Sequence, residues 1–374
     1  MHTASRLLAA AAILIAPAAL RAQGTVSAQG FGYPPGQLST QALGSGGATA
    51  EFDPLSPLNP AALLGAPTTQ LTVQYEPEVR TTKLGDVSTE STVNRFPLIG
   101  VASRVGGRLG LGLSVSTFLD RSWATQFSGT VDGTSVTYRE TFESRGAIND
   151  VRAAAAWRLG PRLVVGGAAH MYTGENVLDV GRVYDDSAYV MFRQSSRLDY
   201  FGSALSGGLV ISPSRTMSVA LSGRLGGALR ARRNDVTIAE GDVPARAAAS
   251  LRYTGLPGAV IAARSEWTGW SSMDALGSDD LDARDGWDLG LGVEVQGPSI
   301  AGNTIPLRLG GRVRDLPFAA DGAVPRETSF AGGFTVPFAR GRVLFDFGVQ
   351  RASRTAGDAE ETSWTYSTGL VVRP

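Results

Sequence analysis

Residues 343–350 read VLFDFGVQ, so Val343, Phe345, Phe347 and Val349 alternate with a set that includes the charged Asp346. The same alternation recurs in residues 287–296, 307–313, 330–338 and 364–372. Successive side chains of a β-strand point to opposite faces, so each segment has one apolar face and one polar or small-residue face. Such strands, joined in hairpins, are typical of a β-barrel whose outer face contacts lipid and whose inner face contacts water.

The alternation extends over nearly the whole chain and predicts about fourteen strands, an even number of the kind that closes a bacterial barrel. The strands are expected at residues 68–81, 92–104, 107–121, 146–159, 161–175, 197–213, 216–230, 244–254, 257–268, 285–297, 304–315, 327–339, 341–353 and 361–373. The predicted fold class is therefore all-β, with one antiparallel transmembrane barrel formed by residues 68–374.

The connections between these segments alternate in length. Short turns, as at residues 105–107, 160–161 and 340–341, alternate with longer polar connections at residues 122–145, 176–196, 269–284 and 316–326. This predicts short periplasmic turns and longer extracellular loops. Residues 130–134, which read TVDGT, resemble a hairpin tip that would add two strands above the membrane. Aromatic residues expected at the membrane interfaces are Trp157, Trp267, Trp270, Trp287, Trp364 and Tyr366.

The N-terminal 22 residues have the features of a signal peptide. Arg6 precedes the apolar residues 7–20, and cleavage is predicted after Ala22. Export of a barrel predicts location in the outer membrane of a Gram-negative-type bacterium. Its expected partners there are outer-membrane lipid, lipopolysaccharide and the outer-membrane assembly machinery. The chain has no cysteine, which excludes disulfides and thiol chemistry, and its formal net charge of +0 gives no reason to expect a nucleic-acid partner.

Charged residues fall on the side of the strands that should face the lumen. On the lipid face such a charge would cost about 2–4 kcal/mol at the membrane midplane, so these side chains are expected to pair with one another or with water inside the barrel. The predicted set, with a structural or pathway role, is Arg152, Arg224, Arg252, Arg264, Glu266, Arg308, Arg312 and Asp346.

Residues 23–67 break the alternation. This segment is richer in Ala, Leu and Phe than disordered tails are, so a packed plug is expected. Asn59 precedes Pro60, which predicts a cap and a short helix that continues to Leu64.

This segment resembles the FadL/TodX family of outer-membrane transporters for long-chain fatty acids and aromatic hydrocarbons. The residues that carry the resemblance are the small-residue run 44–50, Asp53 and the triplet Asn59-Pro60-Ala61, in front of a fourteen-stranded barrel. In that family the segment is a hatch folded into the barrel lumen. The resemblance implies hatch or gating roles for Gly44, Gly46, Gly47, Asp53, Asn59, Pro60 and Ala61.

The resemblance also implies a function. A hydrophobic molecule would bind in the lumen and cross by passive gated diffusion, with lateral exit through the wall in characterised members, and the protein would act as a monomer. Two features depart from the family pattern. The loops are acidic rather than apolar, as at residues 278–282, and the chain ends in Arg373-Pro374 without a terminal aromatic residue.

Other function classes remain alternatives. A general porin would share the barrel but would need no hatch, and a barrel scaffold for secretion or assembly would have a solidly filled lumen. An enzyme is not expected, because His170 is the one histidine after the signal peptide and a lone histidine is usually a polar wall residue. No cofactor and no metal are expected. Asp279, Asp280 and Asp282 offer carboxylates for calcium, but an acidic loop is usually just solvated.

Overall fold

The computed structural model describes residues 31–84, 87–276, 281–300, 302–320 and 324–374. The predicted signal peptide, with Asp279 and Asp280, lies outside the described residues. Within these ranges the chain forms one closed antiparallel barrel with an N-terminal segment inside it.

Fourteen strands form the wall, as the alternation predicted. They are β1 (Gln70–Leu84), β2 (Val87–Val105), β3 (Leu109–Asp120), β5 (Thr137–Arg158), β6 (Leu163–Tyr184), β7 (Phe192–Ile211), β8 (Met217–Arg233), β10 (Ala245–Leu256), β11 (Ala259–Gly269), β13 (Gly286–Ile300), β14 (Asn303–Asp315), β16 (Arg326–Phe338), β17 (Val343–Ala356) and β18 (Ala359–Val372). Each pairs with its neighbours along the chain, and β1 pairs with β18 from Leu71–Val372 to Leu84–Ala359, which closes the ring.

Additional short strands extend the loops on the side of the barrel away from the start of β1 and the end of β18. β4 (Trp123–Thr130) pairs with the first part of β5, and β9 (Val236–Asp242) pairs with the end of β8. The hairpin expected near residues 130–134 is therefore present. β12 (Leu281–Ala283) and β15 (Phe318–Ala320) form a separate two-stranded sheet.

The sequence underestimated two strands. β5 begins at Thr137 instead of residue 146, and β6 continues to Tyr184 instead of residue 175, so much of the expected loop 176–196 is strand. Most side chains there are half-buried or exposed on both faces, and the buried ones, Ser144 and Asn176, are polar, which weakens the apolar alternation from which a strand is recognised.

The outer surface of the wall is apolar. Exposed side chains include Leu113, Leu205, Leu225, Leu291 and Leu309, each on a different strand. Soluble monomers rarely expose apolar surface on this scale, whereas a transmembrane barrel requires it. Trp157 and Trp287 also face outward near strand ends, but Trp270, expected at an interface, is buried in the lumen.

Residues 31–67, the described part of the hatch, lie inside the barrel. They contain one turn of α-helix, α1 (Thr40–Gly44), and short 3₁₀ turns at Ala50–Phe52 and Pro60–Gly65. Ser39 caps α1 through its side chain, and Asn59 caps the last turn as the sequence indicated, although that turn is 3₁₀ rather than α. No helix in the described ranges is long and apolar enough to cross a membrane.

The wall is incomplete between β2 and β3. Their pairing runs from Val105–Leu109 only as far as Leu98–Ser116, and the outer part of β2 pairs with β1 alone. At the end of β3 the hatch takes the missing strand's place, because Tyr33 and Asp120 exchange two backbone hydrogen bonds of 2.8 Å. We call this gap, bounded by residues 87–97 of β2 and 117–120 of β3, the wall slot.

A substitution at Leu309 tests which face of the wall contacts lipid. This residue lies in the middle of β14 and is 64% exposed, so Leu309→Arg is expected to destabilise the barrel by about 2–4 kcal/mol in a bilayer. Urea unfolding in lipid vesicles measures this difference, with Leu309→Phe as the apolar control. Equal stability of the two variants would contradict a lipid-facing position.

Candidate functional site: the hatch and the plugged lumen

The hatch contacts the wall at backbone distance where the wall carries glycine. A Cβ atom placed on Gly166, Gly208, Gly290, Gly292 or Gly310 would lie under 3 Å from a hatch atom. Real Cβ atoms do not approach so closely, so each of these sites requires glycine if the hatch is to dock. The five glycines lie on β6, β7, β13 and β14, and they fix the hatch from two sides of the ring.

The predicted glycine run of the hatch lies against this surface. Gly46 and Gly47 have positive φ angles of 64° and 78°, a backbone conformation that side chains disfavour. A Cβ on Gly46 would in addition lie 2.8 Å from the backbone of Gly311. Gly44 lies beside Gly333, with 3.2 Å between its ideal Cβ and the Cα of Gly333.

The Asn59-Pro60-Ala61 triplet holds the last hatch turn against β6 and β7. Asn59 Oδ1 accepts a hydrogen bond from Ala61 N at 3.0 Å, and Asn59 Nδ2 donates to the carbonyl of Glu51 at 3.0 Å. The same side chain lies over Gly208, and the backbone of Pro60 and Ala61 lies over Gly166.

Asp53 organises the hatch from within. Its carboxylate accepts hydrogen bonds from Ser39 Oγ at 2.5 Å, Ser56 Oγ at 2.7 Å and Leu55 N at 3.0 Å. These contacts join the start and the middle of the segment, so Asp53 shapes the hatch and does not touch the wall through these bonds.

Glu51 is the hatch residue that pairs with the charged wall. It is fully buried, and it accepts hydrogen bonds from Arg246, Arg264 and, at 2.7 Å, Ser222. The two arginines also bind Glu266, and Arg264 and Arg312 share Asp288. Three carboxylates therefore balance three guanidinium groups, which we call the Glu51 network.

A second network surrounds Tyr33 near the extracellular end of the lumen. Four guanidinium groups lie 4.5 to 5.3 Å from its ring centroid, those of Arg80, Arg95, Arg314 and Arg354. The hydroxyl donates to Glu327 at 3.0 Å and accepts from Arg354 at 2.8 Å. Burial raises the pKa of the Tyr33 phenol, so its hydroxyl stays protonated and able to donate.

An apolar cluster lies at the same end of the lumen. Phe31 of the hatch and wall residues such as Phe118 and Tyr172 pack with Trp270, Met273 and Phe318, which come from the connections β11–β13 and β14–β16. Phe118 stacks on Trp270 with 5.5 Å between ring centroids. These two connections, expected to be polar extracellular loops, thus send apolar side chains into the barrel.

The free space in the lumen is small. A cavity of about 50 Å³ lies below the apolar cluster, between Phe118 and Trp270 on one side and Arg224, Arg246 and Asp288 on the other. A second, of about 10 Å³, lies between Leu55, Leu63 and Arg152. A cavity of about 150 Å³ is needed to bind benzene, so neither holds a hydrocarbon in this closed state.

The remaining lumenal residues of the predicted set also face inward. Arg308 donates to Glu294 at 2.6 Å and to Thr335 at 2.7 Å, while Asp346 accepts from Thr335 and from Gln41 of the hatch. Arg224 donates to the Pro244 carbonyl at 3.2 Å, and the guanidinium of Arg252 lies 4.5 Å from the Phe52 ring. Arg152 is 4% exposed, and its Nε and Nη2 have no hydrogen-bond partner among the described residues.

Sequence reasoning missed Tyr33, Glu51 and the wall glycines. A signal for Glu51 was present, because Glu51 and Asp53 are the only charged residues between positions 31 and 67, opposite a lumen rich in arginine. Tyr33 had no comparable signal. The described part of the chain contains no group of three potential metal ligands.

These features define a membrane β-barrel of fourteen strands whose lumen is closed by its own N-terminal segment. No family model and no curated protein sequence matches the chain. Solved structures with this fold include CymD, a monoaromatic hydrocarbon channel, with 16% identity, a TM-score of 0.58 and coverage of 90% of this chain and 97% of that chain.

Two further structures are similar. A FadL homologue from Pseudomonas aeruginosa has 12% identity, a TM-score of 0.60 and coverage of 91% of this chain and 99% of that one. The toluene transporter TodX from P. putida has 12% identity, a TM-score of 0.56 and coverage of 84% and 92%. At these identities the comparison shows the fold, and the resemblance to the FadL/TodX barrels is confirmed at that level.

Gly310→Ala is expected to undock the hatch, because its Cβ would overlap the backbone of Ser45. The next residue supplies a matched control, because the nearest atoms to a Cβ on Gly311 belong to Phe330, at 3.6 Å, and Ser329, at 3.8 Å, and not to the hatch. In planar bilayers Gly310→Ala should conduct ions and Gly311→Ala should remain closed. Closed channels for both would show that the hatch does not need this contact.

Glu51→Gln should weaken docking through charge instead of shape. It removes the hatch carboxylate from two buried arginines, and breaking a buried pair from one side typically costs about 3–5 kcal/mol. Protease cleavage within the hatch is expected to become faster while the barrel stays folded. Glu240→Gln, which removes an exposed pair with Arg230, is the control and should leave cleavage unchanged.

Proposed function

We propose that the protein is an outer-membrane channel for small hydrophobic molecules, of the fatty-acid or aromatic-hydrocarbon class, which bind in the lumen and pass when the hatch moves. The observation that carries the proposal is the apolar cluster around Phe118 and Trp270 above a docked hatch. Its position at the extracellular end suits capture of a hydrophobic ligand from outside, by contacts that a charged lumen alone would not offer.

A general porin is less well supported. A porin needs a continuous aqueous path, whereas here residues 31–67 fill the lumen and bind both sides of the wall. The charged side chains that would line such a path are largely paired, in the Glu51 network and around Tyr33.

Passage requires movement of the hatch. The two cavities described above, of about 50 and 10 Å³, are too small for the proposed ligands. The ligand must therefore displace part of the apolar cluster or of the hatch. The wall slot offers a lateral exit for an apolar ligand, since Tyr33 occupies it in the closed state and is part of the hatch.

The dense lumen also favours a second candidate, a barrel scaffold for secretion or assembly. Such a protein would keep its hatch docked permanently and would use its extracellular strands as a platform. The two functions differ in one respect that can be measured, because only the channel needs a hatch that moves.

A disulfide between hatch and wall tests this requirement. The chain has no cysteine of its own, and an ideal Cβ on Gly369 lies 3.3 Å from the Cβ of Thr40, close to disulfide geometry. In cells that carry Thr40→Cys with Gly369→Cys, uptake of labelled toluene or oleate should stop on oxidation and return on reduction.

Each single-cysteine variant serves as a control that oxidation should not affect. Equal uptake in the oxidised and reduced double variant would exclude gating by the hatch. If the double variant and both single variants take up the ligand only at the background level, whether oxidised or reduced, the result would favour the scaffold.

A further inference from the structure

Three lumenal side chains on neighbouring strands form a hydrogen-bonded chain. His170 Nδ1 on β6 lies 2.9 and 3.0 Å from the two carboxylate oxygens of Asp150 on β5. His170 Nε2 lies 2.7 Å from Ser206 Oγ on β7. A carboxylate, an imidazole and a hydroxyl in this order and at these distances have the arrangement of a serine hydrolase triad.

The surrounding contacts fix the imidazole in the tautomer that catalysis needs. An ionised carboxylate only accepts hydrogen bonds, so in neutral His170 the proton lies on Nδ1 and Nε2 accepts from Ser206. Asp150 is fully buried and is held by Gln37 of the hatch at 3.0 Å. Tyr172 lies parallel to the His170 ring, at an interplanar angle of 12°.

The serine differs from its two partners in exposure. Asp150 and His170 are buried, whereas Ser206 is half-buried on the lumenal face. Arg224 lies directly opposite Ser206 in the β7–β8 pairing, and Arg152 lies opposite His170 in the β5–β6 pairing. The guanidinium of Arg224 lies over the rings of Phe118 and Tyr172, so the free donors of Arg152, on the same face, are the ones that can stabilise negative charge that develops near Ser206.

We propose that Ser206, His170 and Asp150 form an esterase site inside the barrel, which cleaves carboxylic esters of hydrophobic acids or alcohols. Ser206 Oγ attacks the ester carbonyl carbon while His170 Nε2 takes the hydroxyl proton. The bond from that carbon to the alkoxy oxygen breaks, and His170 returns the proton to the leaving alcohol. A water molecule then attacks the acyl carbon while His170 Nε2 takes its proton. The bond from that carbon to Ser206 Oγ breaks and His170 returns the proton to Oγ, which releases the acid and restores Ser206.

The hatch controls access to this site. Gln37 contacts Asp150, and Arg224 lies opposite Ser206. Both side chains line the cavity of about 50 Å³, which has room for water but not for an ester. Asn59 covers Gly208, two residues along β7 from Ser206. An ester therefore reaches Ser206 only when the hatch is displaced, and the site is expected to be nearly silent while the hatch is docked.

Labelling with a fluorescent fluorophosphonate tests the nucleophile in the purified full-length barrel. Ser206 should be labelled, as located by peptide mass spectrometry, and labelling should be faster in Gly310→Ala and Glu51→Gln than in the unchanged protein. Ser206→Ala should abolish labelling. Ser218→Ala removes another lumenal hydroxyl, one that bonds Ser212 instead of a histidine, and should leave it unchanged.

Hydrolysis of p-nitrophenyl butyrate, measured in the Gly310→Ala background in which the hatch is expected to be undocked, separates the roles of the other two residues. His170→Asn should lower kcat by about 10³-fold or more. Asp150→Asn acts through the imidazole, so it should lower kcat by about 10⁴-fold and leave KM unchanged. A residue that only supports the wall would change the stability of the barrel without this selective loss of kcat. Heat-modifiable migration on gels shows whether each variant is folded.

Absence of label on Ser206 in the unchanged protein and in both hatch variants would overturn the proposal. Hydrolysis that persists in folded Ser206→Ala would overturn it as well. The inference shares hatch movement with the proposed transport, but the two can fail separately. The disulfide experiment reports hatch movement without any step at Ser206, and labelling in Gly310→Ala and Glu51→Gln reports the nucleophile without any uptake.

Discussion

The close approach of the hatch backbone to the barrel wall is the contact on which the rest of the structure depends. Eight strands make a barrel that wall side chains can fill, but fourteen enclose a wider interior that needs water or another segment of chain. Here the hatch fills it, and glycines such as Gly166, Gly290 and Gly310 let two backbones meet where side chains would hold them apart. The lumen is thus packed by the chain itself, and its charged groups are placed where they can find partners.

The charged contacts act on specificity more than on stability. Removing carboxylates and guanidinium groups from water costs much of the free energy that their mutual attraction returns. A buried network of this kind therefore favours one docked arrangement of the hatch over others more than it raises the free energy of unfolding. The hatch contributes few charged or phenolic groups to these networks, chiefly Glu51 and Tyr33. The proposed gating needs a docked state that is well defined and still reversible, and a docked state that depends on so few charged groups suits both needs.

Much of the wall could be predicted from the sequence, and little of the site. The alternation along each strand places Arg264, Arg312 and Asp346 on the inner face, because the face to which a side chain points depends only on its position within its own strand. The partner of each group depends on register between distant segments, which no local pattern contains. Glu51 meets Arg246 across 195 positions of sequence. The position of Trp270 near a strand end predicts the membrane interface, and this is wrong because the connection that carries it folds into the lumen. Asp150, His170 and Ser206 come together only once three strands are aligned.

The exchange of backbone hydrogen bonds between Tyr33 and Asp120 gives the hatch a second task. At that point Tyr33 of the hatch serves as part of the wall, in the position where β2 no longer pairs with β3. Withdrawal of Tyr33 would break the seal across the barrel axis and the seal in the barrel side at once. In the proposed channel, vertical and lateral opening would then be one mechanical event, so a ligand released from the lumen would meet lipid at the moment its path is cleared, without a separate signal to part the strands.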